Sequence, residues 1–202
     1  MKIFAAVAAL SFVAVNCAQA QIKPNQLDLT YPARVATYSA SITALTPAAS
    51  ATDFFTITGS ATKIVRIKHV ECNATSTANS TIPINVVLRS TADLTGTSTS
   101  PTAIPLDSND AAATAVVRAY TVNPGTLGTS VGVLATKLLG TVTLASATVE
   151  PNPNFNFDYG LNNDKEVVLR SSAAVYALNA IAASFTAGTA LNCYIVWTEA
   201  GS

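Results

Sequence analysis

The sequence predicts an all-β fold: a single two-sheet antiparallel β-sandwich of jelly-roll type, carrying an N-terminal arm. Three observations lead there. Apolar and polar residues alternate with a period of two in several short runs, Gly, Pro and Asn clusters fall where those runs stop, and no helical pattern follows the first twenty residues. The expected organisation is a leader over 1–20, an extended arm over 21–45 and the sandwich over 46–202.

The leader has Lys2 as a minimal basic region, an apolar run from Ile3 to Val15, and Ala18-Gln19-Ala20 before Gln21. This is the layout of a secretory signal cut between Ala20 and Gln21. The alternative is an uncleaved N-terminal helix packed against a partner. At about 13 residues the run is shorter than the ~20 a membrane helix needs, so no transmembrane span is expected in the mature chain. Asn16 ahead of Cys17 argues against a lipidated cysteine.

In the arm, Pro24 and Pro32 interrupt any regular pairing, and only Val35 to Leu45 has the composition to add a strand. Strands are then expected at Phe54–Thr58, Thr114–Val122, Val131–Lys137, Thr141–Val149, Glu166–Arg170 and Val175–Ala182. Strict alternation marks Ile82, Ile84, Val86 and Leu88, then Phe155, Phe157 and Tyr159, and finally Leu191, Cys193, Ile195 and Trp197. Each set puts one face on a core. Val65 and Ile67 are out of phase with Val70 and Cys72, which predicts a β-bulge between them. Gly59-Ser60, Asn123-Pro124-Gly125, Pro151-Asn152-Pro153 and Asn162-Asn163-Asp164 read as turns. Residues 90–113 are rich in Thr, Ser and Pro without periodicity, a long surface loop of the kind that carries contacts. Ala173–Ala183 is ambiguous, because Ala favours helix while Val175, Tyr176 and Ile181 favour strand.

Charge limits the partners. Only 11% of the 202 residues are charged, with eleven basic against eleven acidic, about half the usual fraction. Nucleic acid finds no basic footprint here. A surface solvated by Ser, Thr and Asn near zero net charge has little colloidal repulsion, so a homo-oligomer is expected. Removing the leader takes Cys17 and leaves Cys72 and Cys193, both on strand-like segments. They are a possible disulfide if those strands are neighbours, or two buried small hydrophobes if the chain matures in a reducing compartment.

No catalytic, metal or cofactor site is expected. Gly128-Thr129-Ser130-Val131-Gly132 fits a nucleophile elbow in letters only, since a Pro/Gly loop precedes it, a β-like run follows it, and His69 is the sole histidine to serve as base. His69, Glu71 and Cys72 cannot share a face of a regular strand, and no second His or Cys pair completes a tetrahedron. Asp107, Asn109 and Asp110, and Asn162, Asn163, Asp164 and Glu166, lack the spacing of a calcium loop. Tyr120, Phe155, Tyr159, Tyr176 and Trp197 would make a glycan-stacking platform if they shared a surface, but their alternation favours core packing. Asn73-Ala74-Thr75 and Asn79-Ser80-Thr81 meet the glycosylation pattern, which matters only in a host with that machinery.

Four strings carry a likeness: TDFFTITGSATKIVRI at 52–67, RSTADLTGTSTSPTAIPLDSNDAAATAVVRAYTVNPGTLGT at 89–129, EVVLRSSA at 166–173 and WTEA at 197–200. From about residue 46 onward the chain resembles small virion-associated or prophage-encoded β proteins of tailed bacteriophages. The resemblance implies a non-enzymatic virion structural protein, a head-decoration or fibre-type sandwich acting through oligomeric assembly with other virion proteins. The leader departs from that pattern, because phage heads assemble in the cytoplasm. It points instead to an exported or cell-surface module holding a glycan or protein ligand.

Overall fold

The computed structural model describes residues 35–143, 155–161, 165–181 and 185–201. The leader with its Ala20/Gln21 junction, residues 21–34 of the arm, the turns at 151–153 and 162–164, and the expected strand beyond residue 143 all lie outside them.

Among the described residues, twelve strands make one hydrogen-bonded sheet: β1 (Ala36–Leu45), β2 (Asp53–Thr58), β3 (Lys63–Ser76), β4 (Ser80–Arg89), β5 (Thr97–Thr99), β6 (Ile104–Pro105), β7 (Val116–Val122), β8 (Ser130–Thr143), β9 (Phe155–Asp158), β10 (Val167–Leu169), β11 (Val175–Asn179) and β12 (Ala190–Gly201). Their order is β5-β7-β2-β11-β4-β8-β3-β12-β1-β6, with β9 and β10 also on β3. The domain is all-β, a curled half-barrel of mixed strand direction. Expectation and structure differ on direction, because β8 runs parallel to the end of β3 while pairing antiparallel with β4. The two pairings meet at Thr141, which is opposite both Ala74 and Ser80. Its buried hydroxyl lies within hydrogen-bond distance of the Ala78 carbonyl, the Ser80 hydroxyl and the Ser80 N–H. A single hydroxyl thus fills the fork where β3 and β4 separate.

The alternating sets meet in one core. Leu191, Cys193, Ile195 and Trp197 of β12 are all buried, as are Ile82, Ile84 and Val86 of β4. The phase break in β3 is a bulge at Lys68: Ile67 is opposite Trp197 and His69 opposite Val196. With the extra residue, Val65, Ile67, Val70 and Cys72 all turn inward. β11 is a strand despite its alanine, because it sits between β2 and β4 with both faces covered, where a small Ala177 fits. β1 takes Tyr38, Ala40 and Leu45 into the core, adding the strand for which Val35 to Leu45 has the composition. Tyr38 stacks on Trp197 with ring centroids 5.7 Å apart, an anchor invisible without the partner strand.

The segment 90–113 is less irregular than its composition suggests. It contributes β5 and β6, the two outermost strands of the sheet. Only residues 100–103 separate them, a span of at most ~18 Å, so this one segment ties both edges of the half-barrel. Two very short strands, one ending in Pro105, also offer little template for a further strand.

Candidate functional site

A concavity lies under this segment, on the face of the sheet away from the core. It holds about 600 Å³. Thr58, Val116, Arg118, Tyr120 and Val175 form its floor, and Asp93 to Gly96 form one wall.

Two buried carboxylate centres hold it in shape. At one end Asp53, fully buried at the start of β2, takes Arg89 Nε and Nη2 at 2.5 and 2.7 Å. Asn179 Nδ2 donates to the same carboxylate at 2.6 Å. Arg89 Nη1 donates to the Gly128 carbonyl at 2.8 Å, and the Gly128 N–H donates to Asp93 Oδ1 at 2.8 Å. Asp93 Oδ2 is buried with no hydrogen-bond partner. Burial and the neighbouring Asp53 charge push the Asp93 carboxyl up to about 6, against the opposing pull of the Gly128 N–H and Arg89. Burial and the Asp93 charge likewise raise the Tyr120 phenol. Beside Asp93, Leu94 and Thr126 exchange backbone hydrogen bonds, and the Gly125 N–H donates to the Thr95 hydroxyl at 3.0 Å. Thr95 pays for this tip with a left-handed backbone, φ 61°, just before Gly96 at φ 85°.

At the other end Glu199 receives the N–H groups of Thr114 and Ala115, each at about 2.9 Å, and the Trp197 indole at 3.0 Å. The Thr114 hydroxyl lies 2.6 Å from the same carboxylate. Burial would raise the Glu199 carboxyl, but these donors together hold it below its ordinary value. The chain entering β7 is thereby pinned to the end of β12.

Elsewhere the structure separates what the sequence grouped. Ser130 opens β8, paired with Arg89 and followed by strand rather than helix, while both nitrogens of the His69 ring face carboxylates. His69 Nδ1 is 2.6 Å from Asp158 and Nε2 is 3.5 Å from Glu71. Cys72 lies on the opposite, buried face of β3 from His69 and Glu71. Asp107 Oδ1 caps the Asn109 N–H in an ordinary turn. Among the described residues no cluster of three or more His, Cys, Asp or Glu is arranged for a metal, and no helix is long and apolar enough to cross a membrane. Phe155, Tyr176, Trp197 and Tyr120 are buried and Tyr159 is half-buried, so these five do not share an exposed platform. Asn73 is exposed on β3 and takes a hydrogen bond from Asn192. Cys72 and Cys193 are directly opposite on β3 and β12, Cα atoms 4.1 Å apart, and are joined as a disulfide within the core.

No charged residue of the two carboxylate centres stands out in the sequence as a site. A signal was present: Asp53, Arg89 and Glu199 each abut an apolar strand in a chain that uses few charges, and a charge in that setting is paired inside. No protein-family model, curated protein or solved structure matches the chain.

Proposed function

We propose that the chain is a non-enzymatic structural protein of a bacteriophage particle, a head-decoration or fibre-type component that works by assembling with copies of itself and with other virion proteins. The observation that carries this reading is convergence. Three of the four strings of the resemblance, distant in sequence, supply Asp53, Arg89, Asp93 and Gly128, and Thr114, Trp197 and Glu199, the residues that frame the cleft. What these strings share is a means of tying the 90–129 segment to the sheet, with hydroxyls and one guanidinium on display. A charge-poor loop platform tied to a sheet suits packing against neighbours. In the same reading the curled sheet is a two-layer jelly roll, β6-β1-β12-β3 facing β7-β2-β11-β4-β8, because both halves send alternate residues into one core.

The experiment is mass spectrometry of gradient-purified particles from a producing culture. A fixed copy number of this chain in the particle supports the reading. A chain beginning at Gln21, found in the periplasm or medium and absent from particles, overturns it. The Cys72–Cys193 bond favours that second reading, an exported binding module reached through a Sec signal, since structural disulfides persist in oxidising compartments.

A further inference from the structure

We propose that the segment 90–96 is a proton-operated cover of the cleft, latched to the sheet while Asp93 carries a proton and released when Asp93 ionises. The inference concerns the domain itself and does not rest on the virion reading.

The geometry leaves one cation for two acids. Arg89 spends Nε and Nη2 on Asp53 and Nη1 on the Gly128 carbonyl, and its nearest approach to Asp93 is 3.7 Å. Asp53 is already saturated by Arg89 from β4 and Asn179 from β11. Asp93 therefore faces the Asp53 carboxylate from β2, the committed Arg89, the Tyr120 phenol from β7, on which Arg118 also acts, and the single N–H of Gly128. Its side chain is only 2% exposed, and its Oδ2 has no donor. A buried carboxylate oxygen with no donor beside a second carboxylate is an arrangement for a protonated acid, which turns the repulsion into a carboxyl–carboxylate hydrogen bond. The rise from the ordinary 3.8 to about 6 is about a hundred-fold gain in proton affinity.

Asp93 also sits where the proton has leverage. The segment that carries it is held to 124–130 by short-range bonds: Leu94 with Thr126, Thr129 N–H to the Thr91 hydroxyl, Ser90 N–H to the Thr129 carbonyl. The Gly125 N–H adds a bond to the Thr95 hydroxyl, and Asp93 turns inward from the same segment toward Asp53 and Arg89. Ionisation drives that carboxylate from Asp53 toward water, and the way out lies through the cleft wall. Rising pH through 6 loosens the cover and widens the cleft, and falling pH closes it.

The test is an NMR titration of the full chain from pH 4.5 to 8, following the Gly128 and Leu94 amides, with exchange rates of the Leu94 and Thr126 amides corrected for intrinsic catalysis. Both amides should titrate with a midpoint near 6, and corrected opening at pH 7.5 should exceed that at pH 5 at least ten-fold. Asp93→Asn keeps an acceptor for Gly128 and offers Asp53 a donor, so it should stay closed at both pH values. An Asp93 midpoint below 5, opening that does not change across pH 6, or a midpoint that persists in Asp93→Asn overturns the proposal. The wild-type titration decides even if the variant does not fold.

Discussion

Replacing Glu199 with Ala tests whether the cleft is framed from within the sheet. The carboxylate is 5% exposed and serves the N–H groups of Thr114 and Ala115, the Trp197 indole and the Thr114 hydroxyl. Truncation leaves three N–H donors at a buried junction without an acceptor. At about 1 kcal/mol for each, with a further increment for the lost charge-assisted bonds, the expected loss is about 3 to 4 kcal/mol. For a domain of this size that is a fall in Tm of roughly 6 to 16 °C. Because the folded carboxyl sits below its unfolded value of 4.5, its contribution is present above that pH and fades as pH falls through the lower, folded value. The measurement is urea denaturation of wild type and Glu199→Ala, disulfide intact, at pH 7 and near pH 3. A loss at pH 7 below about 1 kcal/mol, or one that does not shrink in acid, would refute the reasoning.

Three further outcomes follow from the same structure. Cys72→Ala with Cys193→Ala should cost about 2 to 5 kcal/mol, since the bond closes a loop over 121 residues; intact mass with and without reductant, then denaturation, checks it. Gly128→Ala should destabilise by about 2 to 3 kcal/mol, because a Cβ there overlaps the Thr91 carbonyl, and amide exchange should place the damage in 90–96. Arg89→Met alone should cost about 3 to 5 kcal/mol by stranding two acids, while Arg89→Met with Asp53→Leu and Asp93→Asn should recover most of it in chemical denaturation.

The sequence announces what depends on local pattern. β12 declares itself by four inward residues in alternation, and the bulge at Lys68 by a slip of phase between Ile67 and Val70. Pairing across distance is another matter. Nothing in Thr97–Thr99 or Ile104–Pro105 identifies them as the two edges of one sheet, because a strand of two or three residues has no period to detect. The sequence pattern breaks between Lys137 and Thr141, where the structure has the one strand β8, because Leu139 and Gly140 are buried against β4 and Thr141 plugs the fork. Arg89, Asp93 and Glu199 carry no local mark in the sequence, because their roles depend on partners 36, 35 and 85 residues away.

That placement of charge has a physical logic. Strands built from Thr, Ala and Val offer many registers of similar energy, and a slip by one residue would turn the core face to solvent. A buried acid with a single guanidinium or a fixed set of N–H donors tolerates one register only, since every other leaves it unpaired at a cost of several kcal/mol. Asp53 with Arg89 and Asn179 fixes β2, β11 and β4 against one another, and Glu199 fixes the approach to β7 against β12. Those strands carry the segment that spans the two edges of the sheet. With few charges, several of them committed inside to register, the outer surface carries a sparse set of both signs among hydroxyls, amides and scattered aliphatics. Such a surface repels its own copies weakly, and it is this division of charge between inside and outside that joins the fold of the chain to its proposed role in assembly.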